Sequence, residues 1–209
     1  IRGIVRTEYG VRPDEMTWFQ GGEEEAGREE KLEFETRADI EISTIPTEDT
    51  LSAMLERGDI DALFTARTPS SFSTPSVERL FPDYPAVERD YYERTGHFPI
   101  MHTVVLRNDI YQENPWIAQE LTKAFTEAKE VCIEQMEKTS ALGTTLPWLH
   151  NELEGTRELM DEDFWPYGLD ANRDTIETMI EFSYDQGLIG TEFDPADLFA
   201  EETLATYRV

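Results

Sequence analysis

Hydrophobic and polar positions follow two different periods along this chain, and the change of period divides it. Residues 1–9 carry Ile1, Ile4 and Val5 on one side at helical spacing, with Gly10 where a helix ending in the left-handed conformation favours glycine. Residues 16–19 read as a short strand closed by Gly21-Gly22. Residues 39–45 alternate, with Ile40 and Ile42 on one face, which is a strand pattern. A helix over 50–57 turns Leu51, Met54 and Leu55 inward and ends at Gly58, and Ile-Asp-Ala-Leu-Phe-Thr-Ala over 60–66 follows as a buried strand. This strand, helix, strand order with tight connections predicts a βαβ unit, a parallel pair joined by a right-handed crossover. Ligands of such sheets collect beyond the carboxyl ends of the strands. Arg67 and the loop Thr68-Pro-Ser-Ser-Phe-Ser-Thr-Pro75 lie at that end, whereas the charged run 23–31 reads as a solvated loop or frayed helix.

Beyond about residue 95 the pattern is helical. Residues 76–95 are helical and rich in aromatic side chains. Gly96-His-Phe-Pro-Ile-Met-His-Thr-Val-Val-Leu-Arg-Asn-Asp109 then sets two of the three histidines of the chain around a proline-entered apolar run, predicting a strand over 100–106. Asn114 and Pro115 open a long helix whose apolar stripe is Ile117, Leu121, Ala124, Phe125, Ala128, Val131, Cys132 and Gln135, down to about Lys138. Helices follow over 149–160 and 173–186, the second stopped by Gly187. An aromatic turn over 163–170 separates them, and Asp194-Pro195 starts a last short helix. The expected architecture is α/β in two lobes joined near His97, the second stretch poor in strands.

Composition narrows the partners. Against 45 acidic residues stand 18 basic ones, a formal net charge of -27. The acids scatter over helix faces and aromatics are plentiful, so the chain reads as folded. Self-repulsion of this size destabilises a compact state at low salt and is a lever used by halophilic proteins, so the expected setting is a high-salt cytoplasm. There the Debye length is only ~3 Å at ~1 M salt, and an anionic ligand can approach. No basic stripe exists, which argues against nucleic acid. No apolar run is long enough for a bilayer, which argues against membrane insertion. Self-association into a homo-oligomer is left open. Cys132 is the lone cysteine. Its place on a helical stripe marks it as a small buried hydrophobe, with neither a disulfide framework nor a cysteine metal cluster to join.

Several runs together resemble the 4,5-dihydroxyphthalate decarboxylase family. They are Arg2-Gly3 with Glu8-Tyr-Gly-Val11, Met54-Leu-Glu-Arg-Gly-Asp-Ile-Asp-Ala62, Gly96-His-Phe-Pro-Ile-Met-His102, Pro115-Trp116 with Ala124-Phe125, Leu146-Pro-Trp-Leu-His150, and Phe164-Trp-Pro-Tyr-Gly168 with Asn172-Arg173. The resemblance covers nearly the whole chain. The Pro-Ile-Met-His and Phe-Trp-Pro-Tyr-Gly runs are the specific ones, while Gly-Asp-Ile-Asp-Ala is shared broadly with solute-binding proteins. It implies a two-lobed fold of the type II periplasmic-binding-protein kind with its ligand in a cleft. Residues 1–95 would then form lobe two, with 67–75 facing the ligand, and 96–209 the returning part of lobe one. The first lobe would be incomplete in this chain, because family members carry an upstream segment that builds its first half; the opening Ile-Arg-Gly-Ile likewise suggests a polypeptide that continues upstream.

The activity implied by the resemblance is decarboxylation of a small hydroxylated aromatic dicarboxylate, giving 3,4-dihydroxybenzoate and carbon dioxide, with no cofactor required. Such a reaction needs a cation for the dianion, a group that deprotonates the phenol and an acid near the ring. His102 is the first candidate acid or base and His97 the second. Their odd separation puts them on opposite faces of a continuous strand, so one of them is expected to be structural. Arg67 is the carboxylate clamp, since a guanidinium binds a carboxylate through two parallel bonds, and Ser70 and Ser71 are candidate hydrogen-bond donors to the ligand. His150 reads as a helix-surface residue. No metal-binding histidine spacing, calcium loop or nucleotide-phosphate loop occurs in the sequence. The alternative is a substrate-binding protein of an ABC-type transporter for a small anionic or heterocyclic ligand, which would use the same fold.

Overall fold

The computed structural model describes residues 1–28 and 40–204. Its sheet consists of two parallel strands, β1 (Trp18–Gln20) and β2 (Ile42–Thr44), with Trp18 opposite Ile42 and Gln20 opposite Thr44. Around this pair the described residues are mostly helical, and the protein is mixed α/β. The helices are α1 (Arg2–Tyr9), α2 (Leu51–Arg57), α3 (Tyr84–Thr95), α4 (Asn108–Glu113), α5 (Trp116–Glu137), α6 (Leu149–Met160) and α7 (Leu169–Asp185). No helix among the described residues is long and apolar enough to cross a membrane.

Two units each have their own packing. The first comprises Ile1–Tyr84 and Glu181–Thr191. Its core is built on Ile40, Ile45 and Met54, each under a tenth exposed. Gly10 ends α1 at φ 70°, its N–H donating to Arg6 O, as the pattern predicts. Glycine at position 3 serves close packing: a Cβ there would stand 2.3 Å from the Phe182 ring. Arg6 donates to Asp185 Oδ2 at 2.6 Å beside that contact. α2 is well capped at both ends. The Thr50 side chain accepts from Ala53 N, and Gly58 takes a left-handed φ of 77°. Asp49 is held below the usual carboxylate range by the Arg57 guanidinium, which bonds both its oxygens. A lowered carboxyl contributes stability above its unfolded pKa, and the contribution is lost as pH falls through the lowered value.

The second unit comprises Pro85–Ile180 and the stretch from Glu192. Its buried apolar residues are Ala118, Leu153, Leu169, Ile176 and Ile180. The aromatic turn at 163–168 is tied down on three sides. Asn172 Nδ2 donates to the carbonyls of Pro166 and Gly168, Phe98 meets Trp165 edge-on, and Lys129 Nζ donates to Asp163 Oδ1 and to Trp165 O. In the last turn Asp194 accepts from Ala196 N ahead of Pro195, as expected of that pair.

Two expected strands are not formed. Residues 60–66 and 100–106 run without a ladder partner among the described residues, so the parallel pair is β1–β2 and not the 39–45 with 60–66 pair that the βαβ pattern predicts. Phe64, Met101, Val104 and Val105 are exposed there, not inward. Apolar β-branched composition favours an extended backbone, but a strand exists only where a neighbour accepts its hydrogen bonds. The stripe on α5 behaves likewise. The helix forms where its period predicts, yet Ala118 is its one buried residue, Phe125 and Val131 are exposed, and Cys132 is an exposed free thiol, not a buried one. The helical period fixed the face of α5 and not what lies against it.

Candidate functional site

In the first unit, three segments meet at the carboxyl end of the strand pair. Gln20 O accepts from Ile45 N at the end of the ladder, and the chain then turns through Gly21-Gly22. Gly22 is needed for this turn, since a Cβ there would lie 1.9 Å from Glu25 O. The turn meets the start of α2, whose first amides would otherwise lack acceptors. Leu51 N donates to Gly22 O at 3.0 Å and Ser52 N to Glu23 O at 3.1 Å. That fixes the backbone from which Glu23 and Glu24 project.

The third segment is the predicted ligand loop. Ser70–Ser73 forms one 3₁₀ turn after Pro69, and it is pinned from beneath by Ser52, which is 2% exposed. Ser52 Oγ accepts from Ser71 N at 3.1 Å, donates to Ser71 Oγ at 3.0 Å and lies 3.1 Å from Ser70 Oγ. Glu24 bonds the top of the turn through both oxygens: Ser70 N donates to Oε1 at 2.6 Å and Ser70 Oγ to Oε2 at 2.7 Å. The Ser70 donors hold the Glu24 carboxyl below the usual range. Alongside, the Thr65 hydroxyl donates to Glu23 Oε2 and accepts from Arg67 N at 3.1 Å. Arg67 itself is exposed, and its guanidinium has no ion pair or hydrogen bond to another side chain among the described residues. Eight other arginines, Arg6, Arg12, Arg57, Arg89, Arg94, Arg107, Arg157 and Arg173, have carboxylate partners, while Arg2 and Arg79 lie over aromatic rings.

The residues expected of the site thus divide. Ser70 and Arg67 are both exposed, while Ser71 is 3% exposed and spends its groups on Ser52 and Thr74. Ser52, Thr65, Glu23 and Glu24 escaped the sequence reading. Ser52 stands at the second position of a helix, and the glutamates lie in a charge run that looks like any solvated loop. Substituting Ser52 by alanine leaves the buried Ser71 N–H without an acceptor. The expected loss is about 1–3 kcal/mol of unfolding free energy, read by denaturant titration, and Ser52→Thr recovers part of it.

The histidines lie in the second unit. His97 is half-buried and both its ring nitrogens face hydroxyls of α7, Nδ1 3.2 Å from Thr175 Oγ1 and Nε2 3.3 Å from Thr178 Oγ1. Its backbone N–H donates to Thr95 Oγ1 at 3.1 Å. These bonds fasten the chain leaving α3 onto α7. His102 is exposed and its imidazole has no partner among the described residues. His150 sits on the surface of α6, 3.3 Å from Glu154 Oε1. No group of three or more His, Cys, Asp or Glu side chains among the described residues is placed to hold a metal ion.

The chain is therefore a mixed α/β protein in which the 70–73 turn and the start of α2 pack, through serine hydroxyls, at one end of a parallel strand pair. No family model matches it. It is 33% identical over 211 residues to a 4,5-dihydroxyphthalate decarboxylase of Comamonas testosteroni, an alignment that takes in 100% of this chain and 64% of that protein. A 4,5-dihydroxyphthalate decarboxylase of Pseudomonas putida is 35% identical over 99 residues, 46% of this chain and 38% of the relative. The chain is thus similar to a 4,5-dihydroxyphthalate decarboxylase along its whole length and spans a little under two thirds of the Comamonas protein's length.

Proposed function

We propose that the protein decarboxylates a small hydroxylated aromatic dicarboxylate, 4,5-dihydroxyphthalate or a close chemical relative, to 3,4-dihydroxybenzoate and carbon dioxide. The reading includes a two-lobed fold of the type II periplasmic-binding-protein kind and the absence of any cofactor requirement. The observation that carries it is the alignment with the Comamonas decarboxylase, which runs through the whole of this chain.

The substrate's own electrons suffice for the reaction. Each ring hydroxyl is para to one carboxylate. Loss of the phenolic proton lets the oxygen push an electron pair through the ring to the carboxylate-bearing carbon, which takes a proton from a general acid. The C–C bond then breaks, carbon dioxide departs, and the bonding pair restores aromaticity. Arg67, whose guanidinium has no side-chain partner among the described residues, holds the carboxylate that stays, together with the Ser70 hydroxyl. His102 is the proposed proton donor, since its exposed imidazole has no partner among the described residues and an imidazole can both give and take a proton. The paired hydroxyls on His97 support a holding role for that residue.

The test is incubation of the intact protein with 4,5-dihydroxyphthalate at high salt, with and without a chelator. Loss of substrate and gain of 3,4-dihydroxybenzoate are followed by chromatography. Saturable turnover indifferent to the chelator is expected. Saturable binding with no product would replace the enzyme by a binding protein.

A further inference from the structure

We propose that Thr65 and Ser70 form a seat for the two neighbouring carboxylates of the ligand, and that Glu23 and Glu24 fill this seat until the ligand displaces them. The inference rests on the reading of the ligand as an aromatic 1,2-dicarboxylate and adds where that group binds and what it competes with.

Three observations lead there. First, the Ser70 N–H and Oγ–H converge on a single carboxylate, one donor to each oxygen, at 2.6 and 2.7 Å. Parallel donors of this kind are the recognition geometry for a carboxylate, whichever molecule supplies it. Second, the hydroxyl of Thr65, five residues before Ser70, is also occupied by a carboxylate, and the two acids are consecutive residues on one turn. Two carboxylates carried by consecutive residues, each on its own hydroxyl, offer the chemistry that the two acid groups of a 1,2-dicarboxylate would replace. Third, the receiving side is firm and the donated side is not. Ser52 and Ser71 beneath Ser70 are almost fully buried and bonded to each other, whereas Glu24 is exposed. Arg67 follows Thr65 by two residues and precedes Ser70 by three, and its guanidinium has no side-chain partner among the described residues, so it is available as a cation to an incoming dianion and is not engaged by the resident glutamates. That difference drives the exchange: a ligand replaces the glutamates' hydrogen bonds like for like and adds the arginine.

Displacement has a sign opposite to that of support. If the glutamates merely hold the loop in shape, neutralising them weakens binding. If they compete, neutralising them strengthens it. The probe is phthalate itself, benzene-1,2-dicarboxylate, which lacks the hydroxyls needed for decarboxylation, with Kd measured by calorimetry on the intact protein. Glu23→Gln/Glu24→Gln is expected to bind roughly 10-fold or more tightly than the parent, since each charge-assisted bond that the ligand need not displace counts. Glu25→Gln, on the same loop but bonded to neither hydroxyl, controls for the general loss of negative charge and is expected to change Kd less than about 2-fold. Adding Ser70→Ala to the double variant is expected to abolish the gain.

An unchanged or weaker Kd in the double variant overturns the proposal, as does a gain matched by Glu25→Gln or one that survives Ser70→Ala. Absence of phthalate binding in every variant overturns it too. Should the double variant misfold, the same comparison is made with Glu24→Gln alone, using loss of thermal unfolding cooperativity to detect misfolding. The proposed activity fails separately. Tight phthalate binding that follows this pattern, with no decarboxylation of 4,5-dihydroxyphthalate by any variant, keeps the seat and removes the enzyme. Turnover by a parent whose phthalate affinity the glutamates do not limit keeps the enzyme and removes the seat.

Discussion

His102→Ala is expected to lower kcat roughly 10²–10⁴-fold, the range that a positioned acid or base contributes, with KM changed only a few-fold. The expectation follows from the state of the ring. Both nitrogens are unengaged among the described residues, so nothing need be broken before the imidazole exchanges a proton. His97→Ala provides the contrast. Its ring is already spent on Thr175 and Thr178, so its loss removes two ties to α7. The cost should be about 1–3 kcal/mol of stability, at roughly 0.5–1.5 kcal/mol for each net hydrogen bond, with kcat near that of the parent. Steady-state kinetics paired with denaturant titration separates the two. Equal kcat in parent and His102→Ala removes this residue from the chemistry, and a kcat collapse in a fully stable His97→Ala would transfer the role to His97.

Arg67→Ala is expected to raise KM roughly 10–150-fold, corresponding to about 1.5–3 kcal/mol for a hydrogen-bonded charge pair. Stability should hardly change, because the guanidinium has no side-chain partner to lose among the described residues. Arg67→Lys keeps the charge but not the planar fork, and an intermediate KM is the expected outcome. The effect should shrink as salt rises, to the extent that the bound carboxylate stays solvated. KM unchanged in both variants would show that the carboxylate is held elsewhere.

How far the sequence anticipates the fold depends on whether the deciding interactions are local. Helices α2, α6 and α7 lie close to where the pattern puts them, since their signals sit within a turn of their ends: Thr50 and Gly58 around α2, and Gly187 at φ 74° just beyond α7. Residues 60–66 and 100–106 have the composition of strands, but pairing is decided by a segment distant in sequence, which composition does not name. The exposed side of α5 fails for a related reason: period reports which residues share a face and is silent on what covers it.

The candidate site shows the same division. Arg67 and Ser70 are legible in the sequence because they follow an apolar run in a proline-bounded loop, although that run forms no strand among the described residues. Glu23 and Glu24 are not, since consecutive glutamates on a glycine-closed turn look like surface charge until Ser70 and Thr65 are seen to bond them. Ser52 is hidden for the opposite reason. A serine early in a helix normally faces water, and only the packing of the 70–73 turn over it makes it the most buried side chain described. Among the described part of the charged run, residues 23–28 form no regular element, in keeping with a loop; 29–31 lie outside the described residues.

The most direct test of the proposed chemistry is a single-turnover experiment with 4,5-dihydroxyphthalate labelled with ¹³C in its carboxyl groups, run in heavy water with the intact protein in excess. The expected result is one equivalent of ¹³C-labelled carbon dioxide per substrate, with one deuteron on the ring carbon that carried the lost carboxylate. Recovery of intact, doubly labelled substrate from a tight complex would contradict a decarboxylase and leave a protein that only binds.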